Sequence, residues 1–322
     1  MNMKTILAKI QIISTVNGQT NEGMRNVATH LSKALEKEHQ VYYSGLKNII
    51  SIIRYSLSCD VTLIFARANK QIYWLSQIVS RLTRNTWIVC VQKPDKDFTT
   101  LVRKRPLRVN YLAIVAKDLE EIELCSGYRK ELLSIGIRTD QFRPVNREQQ
   151  IKLKTKYGIN REKPLVIHVG HCSAGRGLTD FSAINNAERM VVASGMFEND
   201  ETVNELKKAG VRIHRGYLEH VEEIYQMADV YLFPVHSTEY VISIPLSVME
   251  ALACGVPVIA YDDFNNLCEI PVEKDAIILV SDKKELSNAV SIAAEKKRNK
   301  SYLKSPKAWE AVAEELLGVI TG

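Results

Sequence analysis

The stretch SIPLSVMEALACGVPVIA, residues 243–260, packs a loop, a helix and a strand into one short segment. Pro245 fits the first position of a helix, where a missing amide hydrogen costs nothing. Met249, Leu252 and Ala253 give that helix a largely packed surface. Gly255 and Pro257 end it sharply, and VPVIA reads as a strand buried on both faces. A single carboxylate, Glu250, stands on this small, apolar helix. Solvent exposure would explain it. Burial would instead require a hydroxyl or cationic partner, because an unpaired buried carboxylate is costly.

The same rhythm extends in both directions. Upstream, PLVIHVG, RMVVASG, VRIHRG and DVYLFPV read as strands, separated by helical LTDFSAINNA, NDETVNELKKAG and HVEEIYQMA. Downstream, SDKKELSNAVSIAAEKKR is a helix capped by Ser281 or Asp282. The front half alternates likewise. TILAKIQIIS, HQVYYSG, DVTLIFA and TWIVCVQ are strands. GMRNVATHLSKALEK, NIISIIRYSL and KQIYWLSQIVSRL are helices, the first with Val27, Leu31, Ala34 and Leu35 on one face. Residues 95–108 are less regular, YLAIVAK is another strand, and SGYRKELLSIG reads as a turn plus a short helix.

Such alternation predicts an α/β fold with mostly parallel sheets covered on both sides. The polar RTDQFRPVNREQQIK, with Pro144, breaks the pattern. It divides the chain into a first domain over 1–145 and a second over 146–303. The final segment, 304–322, carries a helix with Trp309, Val312, Ala313, Leu316 and Leu317 as its apolar stripe. Two doubly wound domains bind ligands at the carboxyl ends of their strands, in the cleft between them.

Composition bounds the function. The 322 residues are 46% hydrophobic and 25% charged, which argues against global disorder. The net charge of +6, from 43 basic and 37 acidic side chains, is mild. It permits anionic substrates or an anionic membrane surface. Basic residues cluster in VRKRPLR, residues 102–108, and in EKKRNKSYLKSPK, residues 295–307. No zinc-finger spacing or aromatic-basic pattern points to specific nucleic-acid binding. No run reaches the ~18 apolar residues of a membrane span. Lys9 and Gln11 interrupt the apolar start, so a first strand explains it better than a signal peptide. The six cysteines show no CxxC or metal-ligand spacing, in keeping with reduced cytoplasmic thiols.

Three places carry candidate chemistry. HVGHCSAGRGL follows a buried strand, and Gly170, Gly175 and Gly177 permit a tight turn or a close backbone approach. His171 and Arg176 there suit a phosphate, arginine through its fixed fork of donors. A plain flexible loop remains the alternative. The segment is neither a P-loop nor a dinucleotide fingerprint. The second place is the loop with His236, Ser237, Thr238 and Glu239, leading through Ser243 to Pro245, Leu246 and Ser247. Free amides at that helix start suit a phosphate, and a pair of ribose hydroxyls would satisfy Glu250. The third is NGQTNEGMRN, where Gly18 and Gly23 permit an unusual path. Arg25 lies in the first helical turn, which disfavours a cation unless an anion binds there. An ordinary surface arginine explains it equally.

Taken in order, the glycine loop after strand one, GIRTDQFRP, VIHVGHCSAGRG, IYQMADVYLFPVHSTE, IPLSVMEALACGVPVIAYD and KAWEAVAEEL resemble the retaining GT-B glycosyltransferases of family 4. The resemblance covers nearly the whole chain. It implies two Rossmann-like domains, the second for a nucleotide-sugar donor and the first for an acceptor, with the last helix returning to the first domain. It implies that His171 and Arg176 occupy the family's Arg and Lys positions in the phosphate loop. Glu250 matches the carboxylate that holds the donor ribose. The family's other carboxylate position is Ile242 here, and Glu239 stands in for it only if the loop carries a short insertion. Glu22 precedes a single Gly23 where paired glycines are common. Gln92, Lys93 and Asp95 stand where a histidine is common in the first domain.

The expected reaction is transfer of a sugar from a nucleoside diphosphate sugar, a UDP- or GDP-sugar, to an acceptor hydroxyl, with no metal or other cofactor required. Arg176, His171 and Glu239 are the candidate catalytic residues. The acceptor is a carbohydrate or is lipid-linked, within glycan, glycolipid or cell-surface polysaccharide synthesis. The expected location is cytoplasmic, with the basic residues 103–108 allowing peripheral contact with the anionic inner face of a membrane. The alternatives are a non-catalytic relative that binds a nucleotide or glycan as a partner subunit, and a nucleotide-sugar epimerase of the same architecture.

Overall fold

The computed structural model describes residues 7–14, 23–195, 198–296 and 299–321. The chain divides into two compact units. One comprises Met1–Gly136, Val241–Ser243 and Lys307–Gly322. The other comprises Ile137–Tyr240 and Ile244–Pro306.

The first unit runs β1 (Lys9–Ser14), α1 (Gly23–Leu35), β2 (Gln40–Gly45), α2 (Ile49–Ser56), β3 (Val61–Phe65), α3 (Lys70–Leu82), β4 (Thr86–Cys90), α4 (Lys96–Lys104), β5 (Asn110–Ala113) and β6 (Lys130–Leu132). Its strands are all parallel, in the order β2-β1-β3-β4-β5-β6. The apolar face expected on α1 is buried. Gln11, the polar residue inside β1, is buried without cost because four groups satisfy it. Its amide nitrogen donates to Ser44 Oγ at 3.0 Å and to the Ile52 carbonyl at 3.1 Å. Its oxygen accepts from Ser56 Oγ at 2.8 Å and Thr62 Oγ1 at 3.0 Å.

The second unit runs α5 (Arg147–Lys156), β7 (Leu165–Gly170), β8 (Glu188–Ala193), α6 (Asp200–Lys208), β9 (Arg212–Arg215), α7 (Val221–Met227), β10 (Val230–Phe233), α8 (Leu246–Ala253), β11 (Val258–Tyr261), β12 (Ile277–Val280) and α9 (Leu286–Ala294). Its sheet is also parallel, in the order β12-β11-β10-β7-β8-β9. From β7 the chain builds outward to β9, then returns and adds β10 to β12 on the other side. The reversal falls between β7 and β10, the place where a doubly wound sheet opens a ligand crevice at its strand ends. Asparagines start helices in both units. Asn48, Asn69, Asn146 and Asn199 each accept from an amide in the first turn of α2, α3, α5 and α6.

The last helix, α10 (Trp309–Thr321), belongs to the first unit and packs on α1. Trp309 stacks on His30 at 5.4 Å. A Cβ at Gly136 would lie 2.7 Å from the Trp309 ring, so this approach needs glycine. Asn85 Nδ2 donates to the Ile320 carbonyl at 2.8 Å, and Ser134 Oγ to Glu315 at 3.0 Å.

Four local expectations are corrected. Residues 96–104 form α4 rather than irregular chain. The buried Phe98, Thr99 and Val102 share one helical face that the surrounding charges obscure. In SGYRKELLSIG, residues 130–132 are strand β6, paired parallel to β5, and too short to show an alternation. The start of LTDFSAINNA is a 3₁₀ turn, Leu178–Ala183, and not an α-helix. Its buried Leu178 and Phe181 are three residues apart, a spacing common to both helix types. Pro245 sits one position earlier than expected, as the cap of α8.

Candidate functional site

Two loops flank the reversal of the second unit's sheet. The loop after β7 follows Gly170, the last strand residue, and contains His171, Arg176 and Gly177. The loop after β10 begins at Pro234. They cross in close contact. Gly177 has φ +67°, and a Cβ there would stand 2.0 Å from the Pro234 carbonyl oxygen. No side chain fits, so glycine fixes where the Arg176 backbone runs. Gly170 does the same for side chains. A Cβ on it would lie 3.0 Å from His168 Nε2 and 3.1 Å from an Arg176 guanidinium nitrogen. Arg176 therefore lies over the end of β7. Burial, the main cause, lowers its pKa, while neighbouring Tyr231 opposes that shift.

Beneath it stands a buried aromatic column. His168 stacks on Tyr231 at 5.7 Å, Tyr231 on Tyr225 at 5.9 Å, and Phe142 meets Tyr225 edge-on at 5.7 Å. His168 Nδ1 lies 3.0 Å from the Leu232 carbonyl. Burial, then the Arg176 charge, pushes its pKa down to about 3. The ring is thus neutral, with its proton on Nδ1, which donates to Leu232. Arg138 caps the far end of the column, 5.1 Å over the Phe142 ring.

Helix α8 rests against this column through two hydroxyls. Tyr231 Oη is 2.8 Å from Ser247 Oγ and 3.3 Å from the Val169 carbonyl. Tyr225 Oη donates to Glu250 Oε2 at 2.8 Å. No side chain caps the α8 start at Pro245, Leu246 and Ser247. Glu250 is partly buried, and burial pushes its pKa up to about 7. The Tyr225 hydrogen bond and the Arg138 charge hold the value down, and Glu222 raises it further.

Because the folded value exceeds that of an unfolded glutamate, ionising Glu250 works against the fold. Its stabilising share is complete below about pH 4.5 and is lost as pH rises through about 7. Glu250→Gln keeps an acceptor for Tyr225 and removes the charge. The variant is expected to melt higher than the parent at pH 8, by up to ~3 kcal/mol at ~1.4 kcal/mol per pKa unit, and equally at pH 4. Thermal melts at both pH values check this. A lower Tm at pH 8 would mean that the charge supports the fold.

The other candidates lie elsewhere. Glu239 is exposed, in a short 3₁₀ turn (Thr238–Tyr240), and its amide donates to Ser237 Oγ at 3.2 Å. Ser243 is fully buried in the first unit. Its hydroxyl donates to Asp118 Oδ2 at 2.5 Å and its amide to the Val91 carbonyl at 2.8 Å. That side chain is committed to the first unit's interior. Gly23 and Arg25 lie in the first turn of α1, also in the first unit. Gly23 is packed against Ile242, whose carbons lie 3.2–3.4 Å from where its Cβ would be. Gly18 lies outside the described residues. Arg176, Gly170, Gly177, Ser247 and Glu250 thus share one framework, built on His168, Tyr225 and Tyr231. The sequence reading missed these three. A histidine inside an apolar strand and two tyrosines on buried elements were the only cues.

Among the described residues, no group of three or more His, Cys, Asp or Glu side chains could hold a metal ion. No helix among them is long and apolar enough to cross a membrane.

Residues 178–296 match the sequence model of the family described as glycosyl transferases group 1. Over 154 residues the chain is 26% identical to a sulfoquinovosyl transferase of Arabidopsis thaliana, a match spanning 46% of this chain and 29% of that one. The matched curated relatives are covered over only 29% to 51% of their own lengths. A glycosyltransferase from Rickettsia africae has a similar structure, with a TM-score of 0.74, 11% identity and 98% of each chain covered. HepE of Anabaena, solved in complex with UDP-glucose, gives 0.70 at 13% identity, covering 98% of this chain and 96% of that one. Over residues 178–296 the chain therefore resembles the glycosyl transferases group 1 family, and its fold is GT-B.

Proposed function

We propose that the protein transfers a sugar from a nucleoside diphosphate sugar to an acceptor hydroxyl, with retention of configuration. The observation that carries this reading is the framework shared by Arg176 and Glu250 at the reversal of the second unit's sheet. One end offers a cation, and the other offers a carboxylate held by a tyrosine.

The bond between the anomeric carbon and the diphosphate oxygen breaks, and the acceptor oxygen bonds the same face of the sugar. The acceptor proton passes to the departing phosphate. Arg176, with His171 and the amides of Pro245's successors Leu246 and Ser247, stabilises the charge that grows on the leaving diphosphate. Glu250 accepts from the ribose hydroxyls, and Glu239 from hydroxyls of the sugar. Gly23 and Arg25 serve an anionic group. The acceptor is a carbohydrate or is lipid-linked.

A thermal-shift screen against UDP- and GDP-sugars tests the donor half. Ligand at 100 times its Kd stabilises the fold by ~2.7 kcal/mol. The donor that raises Tm is then incubated with acceptors and the glycosylated product identified. If no nucleotide sugar shifts Tm, the reading fails. One observation favours the non-catalytic alternative. Ile242, at the family's other carboxylate position, is apolar and buried against Gly23. Donor binding without transfer or hydrolysis across many acceptors would select it.

A further inference from the structure

The first unit carries a second surface, unrelated to the strand ends. The contacts place α2 beside α3, and α3 beside α4. Their outward faces are unusually apolar. Among the described residues, eleven large hydrophobic side chains are exposed, and six of them lie on α2, its C-cap or α3. Ile49, Ile50, Ile53 and Leu57 line the outer face of α2, with Ile50 83% and Leu57 66% exposed. Trp74, 51% exposed, and Ile78 line that of α3. Both sets follow helical spacing, while Ile52, Ser56, Ile72, Tyr73, Ser76 and Val79 face inward.

Charge decides what such a face meets. Neither α2 nor α3 contains an acidic residue. Lys47, Arg54, Lys70, Arg81 and Arg84 surround the apolar residues, and all five are exposed. None of them meets a carboxylate within 4 Å among the described residues. By contrast, Arg103 in the basic segment after α3 lies 3.8 Å from Glu121. An apolar stripe with an exposed tryptophan, ringed by cations that meet no carboxylate among the described residues, on two helices free of acids, complements an anionic bilayer surface. Its apolar residues reach the acyl boundary, and its cations meet lipid phosphates.

We propose that the outer face of α2 and α3 docks the protein on an anionic lipid bilayer. This does not depend on the transfer reading, since a protein inactive in transfer would still bind vesicles. The probe is phosphatidylglycerol-containing vesicles, with phosphatidylcholine vesicles as the uncharged control. The full chain is expected to float with the anionic vesicles and not with the control. Trp87 and Trp309 are buried, so a blue shift of tryptophan emission on vesicle addition reports Trp74 and disappears in Trp74→Phe. Ile50→Glu with Ile53→Glu is expected to weaken vesicle binding ~10-fold or more. Arg54→Glu is expected to weaken it ~5-fold or more. Both changes are at exposed positions, and an unchanged Tm confirms that the variants fold.

Three results would overturn the proposal. One is no flotation at low salt. Another is flotation that the isoleucine changes leave intact. The third is a dimer, by sedimentation equilibrium without lipid, that the same changes convert to monomer. That last outcome would assign the face to a second copy of the chain.

Discussion

Arg176→Ala is expected to lower kcat/KM for sugar transfer by ~10²-fold or more. Removing one preorganised donor from a developing anion typically costs that much. Here the preorganisation is visible. Glycine at 170 leaves room for the guanidinium, and glycine at 177 locks the backbone that follows it. Burial opposes the Arg176 charge, and a thermal melt of the variant alongside the kinetics separates a catalytic loss from a loss of fold. Arg176→Lys keeps the charge but not the fork, and is expected to fall between the two. Steady-state kinetics on the donor found by the thermal screen measure all three. A loss under ~10-fold, ~1.4 kcal/mol, would remove Arg176 from the leaving-group role.

Asp229→Ala should be the most damaging change to stability, at about 3–5 kcal/mol. Asp229 lies immediately before β10, 3.8 Å from Arg147 Nη1, and gathers three hydrogen-bond donors. It accepts from Lys154 Nζ at 2.5 Å, the Leu165 amide at 2.8 Å and Gln150 Nε2 at 2.9 Å. The Lys154 side chain is only 1% exposed. Its remaining bond is to the Lys163 carbonyl at 3.2 Å. Removing the carboxylate strands a buried ammonium beside an unsatisfied Leu165 amide, while Gln150 Nε2 keeps the Met227 and Ala228 carbonyls. Denaturant melts report the loss as a lower midpoint. Replacing the pair together, Lys154→Met with Asp229→Leu, should recover much of it, because no charge is then left buried. A single-variant loss under ~1 kcal/mol would show that Lys154 reaches solvent without this partner.

The strands of both sheets were legible where they are long and buried. VYLF and VPVIA are unbroken apolar runs, and VIHVG is interrupted only by His168, the pattern of parallel strands covered on both faces. β6 was not legible, because three edge residues carry no periodicity. α4 was hidden by its charges, and the 3₁₀ turn at 178–183 by a spacing that two helix types share. Glu250 and the glycine loop attracted notice through composition alone: a carboxylate on an apolar helix, and three glycines after a strand. His168, Tyr225 and Tyr231 did not. Each fits the periodicity of its own element, and only the adjacency of β7 and β10 brings them into one column. Strand order is a property of the folded chain, and no local window contains it.

The three-residue excursion at Val241–Ser243 and the homeward run from Lys307 have a consequence for how such a protein can be rebuilt. The polypeptide passes between its units four times. No single scission separates them into two pieces, each complete. A fragment stopping at Gly136 would lack α10 and leave the groove at Gly136 open where Trp309 belongs. Exchanging the second unit for another is therefore an insertion with matched junctions on both sides, never an end-to-end fusion. Any graft must also supply a serine-like residue that can reach Asp118 midway through the inserted chain.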